Sequence, residues 1–155
     1  MSKNTKHDAI PTSVPTEKDW GNYNADLDQR HAHSVFAGRT NNEMRAFSRR
    51  NVIEMTDGLR WMPEVPFRYY MLGFRDFVLA RDFERLGAAS ATSCFLALVL
   101  EKLERQPPHI FRLMPELLPT AEFVARNQSL FEADEKIYGN FLEKLQKIKK
   151  LCGQS

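Results

Sequence analysis

The sequence predicts an all-α protein, a single-domain bundle of about five main helices packed around a buried central helix at 86–105. Three observations predict it. The longest apolar run, Cys94 to Leu100, lies in a segment that leaves almost no polar face until Glu101, as a helix enclosed by neighbours does. Phe67, Tyr70, Met71, Phe74, Phe77 and Val78 recur at intervals of three and four, which no strand produces. No alternating apolar and polar pattern runs longer than a few residues.

A chain of 155 residues suits one domain and can bury a core without disulfide or metal staples. Hydrophobic residues at 43% and charged residues at 27% are ordinary for a globular protein. The net charge is +2, and none of the segments 1–22, 23–62, 63–106 and 107–155 departs from neutrality by more than one charge. Nucleic-acid and membrane-surface proteins usually carry a lopsided segment, so neither partner is favoured. Cys94 and Cys152 have no paired spacing, which points to reduced, incidental thiols. The first lysines have no apolar segment behind them, unlike a secretory signal, so a cytoplasmic location is expected.

Residues 1–22 are rich in Ser, Thr, Asn, Lys and Pro and are expected to form a disordered tail, with the helical domain spanning 23–152. Trp20 and Tyr23 could dock where order begins. Asn24 is a candidate cap for a first helix reaching Phe36, with Gly38 as its stop. Thr40 and Glu43 have capping-box spacing and open a second helix expected to run to the Asp57-Gly58 turn.

Pro63-Glu64-Val65-Pro66 reads as a stiff connector, with Pro66 suited to the first position of the aromatic helix. Arg68, Arg75 and Asp76 fall on that helix's outer side. In the central helix, Gly87 to Ser93 are small enough for close backbone approach. Glu101, Lys102, Glu104 and Arg105 return the chain to water before Pro107-Pro108 stops it. A membrane span needs about 20 apolar residues, more than this run supplies. Beyond it, Pro115 and Pro119 break the chain into short helical turns, Thr120 could cap Ala121 to Arg126, and Ser129 with Glu132 suggests a capping box opening a long final helix that Gly153 stops.

Four groups could carry chemistry. Asp26, Asp28, His31 and His33 are metal-ligand types, with His31, His33 and Asp28 the candidates. Histidines two apart on a helix face nearly opposite ways, however, which favours a polar helix end. Arg45 and Arg49 share a face at a repulsive i,i+4 spacing and could grip an anion, while Arg50 is expected to pair with Glu54. The lysines at 144, 147, 149 and 150 complement the final helix dipole and, with the arginines, give a nucleic-acid alternative. Ser90, Thr92, Ser93 and Cys94 lack the base or strained turn that a nucleophile needs.

Trp61, Arg68 and Tyr69, together with Met62, Phe67 and Tyr70, concentrate the residue types that interfaces favour. The expected function is therefore a small binding module, most simply for another protein or a second copy of itself. It would use the Trp61 to Pro66 connector or the outer side of the aromatic helix. The alternative is a small-ligand binder or enzyme whose inter-helix pocket gathers Arg45, Arg49, Tyr69 or His109. Nothing in the sequence requires a cofactor.

Overall fold

In a computed structural model, which describes residues 10–84 and 87–153, every regular element is helical. The helices are α1 (Leu27–Phe36), α2 (Asn41–Arg50), α3 (Val52–Trp61), α4 (Glu64–Ala80), α5 (Gly87–Arg105), α6 (Pro107–Ile110), α7 (Met114–Arg126), α8 (Glu135–Tyr138) and α9 (Phe141–Leu151). None of the described helices is long and apolar enough to cross a membrane.

The central helix is α5, in contact with α3, α4, α6, α7 and α9. Phe95, Leu96, Leu98, Val99 and Leu103 are buried, and Phe95 meets Phe74 of α4 edge to face at 5.4 Å. Ala97 remains exposed, so α5 keeps one narrow strip toward solvent. Thr92 donates its hydroxyl to the Ala88 carbonyl at 2.8 Å, using it within the helix. Lys102, expected at the surface, is buried because it continues the 95, 98, 99 stripe rather than the charged exit.

Several boundaries differ from the sequence reading for identifiable reasons. Asp26, not Asn24, caps α1, its carboxylate accepting from the amides of Asp28 and Gln29. The Thr40 capping box forms, but the expected single helix to Gly58 breaks at Asn51, whose φ of −136° and ψ of 53° are not helical. Gly58 lies inside α3, where a Cβ would meet the Phe36 ring at 2.7 Å: it is a site of close helix approach, not a turn. Pro63 caps α4 and places Pro66 in its first turn, where no amide is needed.

Pro119 sits within α7 and does not end the helix, and Thr120 is buried inside it instead of capping. Leu117, Ala121 and Val124 hold α7 against its neighbours across the proline. Glu132 has φ of +56°, so Ser129 to Glu132 is turn rather than capping box. Gln128 braces this region by donating to the Ala133 and Gly139 carbonyls and accepting from the Phe141 amide at 2.9 Å. The last helix therefore starts at Phe141, capped by Asn140.

Of the expected tail, residues 1–9 lie outside the described residues, while 10–22 lie on the domain. Thr16 and Asp19 form a capping box around Glu17–Trp20, and Trp20 is 1% exposed, packed against the His33 and Tyr70 rings. Its large apolar ring supplies the burial that the polar residues around it lack.

Candidate functional site

The C-terminal ends of α3 and α5 come together beside the start of α4, and between them lies a cleft of about 570 Å³. It is lined by the Trp61-Met62-Pro63-Glu64 connector, by Glu101, Lys102 and Arg105 of α5 with Gln106 just beyond, and by His109 of α6. Trp61 is 43% exposed at this rim, whereas Met62 is buried and anchors the connector.

Lys102 is only 1% exposed, and its ammonium donates to the Arg60 carbonyl at 2.8 Å and to Gln106 Oε1 at 2.6 Å, above the Phe67 ring at 4.7 Å. The Arg60 carbonyl is among the last of α3, so the lysine complements the negative end of that helix. Burial lowers the Lys102 pKa from 10.5 to about 8, the nearby Glu101 carboxylate opposing the fall and Arg60 adding to it. Arg60 itself bridges Glu101 at 2.8 Å and Asp57.

Behind the cleft, Arg68 is also 1% exposed. It pairs with Glu64 at 2.5 Å and donates to the carbonyls of Pro108 at 2.7 Å and His109 at 3.3 Å, tying α4 to α6. Its Nη1 and the Nδ1 of His109 are buried with no hydrogen-bond partner among the described residues. Burial and the Lys102 charge lower the His109 pKa, with Arg68 adding to the fall and Glu64 opposing it. A second, wider groove of about 700 Å³ runs past Arg49, Arg50, Ile53, Glu54, Asp57 and Glu84. Its arginines and acids nearly balance.

The other sequence candidates are dispersed. His31 bonds Glu54 at 3.2 Å, His33 bonds Glu17 at 2.9 Å and stacks on Tyr23 at 3.6 Å, and Asp28 joins neither. No group of three metal-ligating side chains occurs among the described residues. Arg49 pairs with Asp82 at 3.3 Å and Arg50 with Glu84 at 3.9 Å, not with Glu54. The break at Asn51 removes the helical register that would have joined Arg50 to Glu54. Arg45 lies over a small gap lined by Tyr70 and Phe74.

Arg68 and Tyr69, read as contact residues, are buried: Arg68 as described, and Tyr69 with its carbonyl accepting from Asn41 Nδ2 at 2.9 Å. Lys149 pairs with Glu122 at 2.8 Å and Lys144 donates to the Tyr138 carbonyl at 2.6 Å. Arg45, Arg49, Tyr69 and His109 do not converge. Of the candidates, Trp61 keeps an exposed position at a cleft that His109 also lines. Sequence reading missed Lys102, whose signal was its place on the apolar stripe of α5.

No protein-family model, curated protein or solved structure matches this chain.

Proposed function

We propose that the chain is a small water-soluble binding module of the cytoplasm that engages another protein through the cleft fronted by Trp61–Pro66. The observation that carries this reading is the half-exposed indole of Trp61 at the mouth of the cleft. An aromatic ring on a stiff proline-bounded connector offers large contact area with little entropy lost on binding, and Trp and Arg anchor many interfaces. Two free cysteines accord with a reducing compartment.

A small-ligand reading uses the same cleft and is supported by the donors at its floor. A nucleic-acid reading draws less support, since Arg49, Arg50 and Lys149 already face acids within the chain.

The test is a pair of baits, the full chain and its Trp61→Glu variant, presented to lysate of the source cells at moderate salt. A protein retained by the first and lost from the second supports the reading. Identical captures on both overturn it.

A further inference from the structure

We propose that the cleft between α3, α4 and α5 recognises a carboxylate, held by Lys102 at its floor and Arg105 at its rim. This deepens the reading above and rests on it for the cleft being the binding surface. The first support is charge. Arg60, Lys102 and Arg105 line the cleft against Glu64 and Glu101, three cations to two carboxylates, a surplus of one positive charge. Adding Arg68 and Asp57, which pair with Glu64 and Arg60, leaves that surplus unchanged.

The surplus is localised. Arg60 and Arg68 each touch a carboxylate, but the Lys102 ammonium touches a carbonyl and an amide oxygen and no acid. Buried charges are normally paired, and the end of α3 supplies only about half an elementary charge. A monoanion completes the balance. A phosphate dianion would overshoot it.

The second support is hydrogen bonding. An ammonium has three N–H bonds, and Lys102 spends two on oxygens, with the Phe67 ring 4.7 Å from the nitrogen and no third oxygen bonded to it among the described residues. His109 Nδ1, on a residue that also lines the cleft, and Arg68 Nη1 behind the cleft are both buried without partners among the described residues. The donor left over on the cleft wall is the third N–H of Lys102, and a carboxylate has up to four lone-pair sites and no proton to give. The Trp61 indole at the mouth then covers whatever aromatic or apolar group carries the carboxylate.

The test uses the full chain, ¹⁵N-labelled at pH 7, titrated separately with sodium phenylacetate, phenylacetamide, sodium phosphate, and N-acetyl-Ala-Phe as free acid and as amide. The expected result is saturable movement of the Trp61 indole signal with the acids and not with their amides. Phosphate should bind more weakly than the acids. Lys102→Met should weaken the acids about tenfold or more, the loss of one charge-assisted hydrogen bond, and Arg105→Gln by less.

Equal binding of acid and amide overturns the inference, as does tighter binding of phosphate or no saturable response to either acid. So does unchanged affinity in a folded Lys102→Met or, should that variant not fold, in Arg105→Gln, whose side chain is at the surface. The two claims fail separately. Acid-selective binding alongside identical lysate captures by wild type and Trp61→Glu keeps the carboxylate site and removes the protein-binding reading. Lost capture with acid and amide binding alike does the reverse.

Discussion

The ammonium of Lys102 and the last turn of α3 meet through the Arg60 carbonyl, 2.8 Å away, so one buried lysine both fastens α3 to α5 and forms the floor of the cleft. The burial of that ammonium makes the fold pH-dependent. With its pKa lowered from 10.5 to about 8, Lys102 gives up its proton earlier in the folded chain than in the unfolded one.

Between pH 8 and 10.5 the unfolded chain therefore holds more protons at this site, and stability rises with pH through that window. Lys102→Met removes the titration. The stability gap between wild type and variant should narrow in the wild type's favour by on the order of 3 kcal/mol across the window. Urea denaturation of both proteins from neutral to alkaline pH measures it, and a gap independent of pH would show that the lysine is not desolvated.

Trp20→Ala should destabilise the fold by about 3 kcal/mol, the cost of emptying a fully buried aromatic site. If residues 10–22 were merely a tail, the change would have no effect on the urea midpoint. Proteolysis of the native variant should also cut ahead of Tyr23 faster than in wild type.

Glu17 holds this segment down by accepting from Tyr23 Oη at 2.6 Å and facing His33 Nε2 at 2.9 Å. The Tyr23 hydrogen bond, then the His33 one, lowers the Glu17 pKa below its ordinary 4.5. Its stabilisation is present above pH 4.5 and is lost as pH falls through the lowered value. In a Trp61→Phe background, Trp20 fluorescence should report the segment loosening in acid. Glu17→Gln should abolish that acid step and show the loosened signal already at neutral pH.

Gly73 faces Asn41 so closely that a Cβ would lie 2.2 Å from Oδ1 and 2.5 Å from Cγ. Asn41 cannot swing aside freely, because its Nδ2 holds the Tyr69 carbonyl. Gly73→Ala should cost about 2 kcal/mol by overpacking the α2–α4 crossing. Adding Asn41→Gly should recover part of the loss in a double-mutant cycle, and strict additivity would deny the contact.

Helix content, the aromatic face of α4 and the burial of α5 were legible because they follow from spacing along the chain, as at Phe67, Phe74 and Phe77. The Thr40 capping box was equally legible, being a local exchange of hydrogen bonds. The cleft was legible only at its connector. Trp61 and Pro63 stand out by type, but Arg60 meets Lys102 across 42 residues of chain.

By itself the sequence determined an all-helical chain with its central helix at the right place, since apolar periodicity fixes which face must leave water. Only the tertiary structure decided which charged side chains are buried and which ions pair. Arg68 and Lys102 look like surface residues until α6 and the end of α3 present carbonyls to receive them, and those carbonyls come from distant parts of the chain.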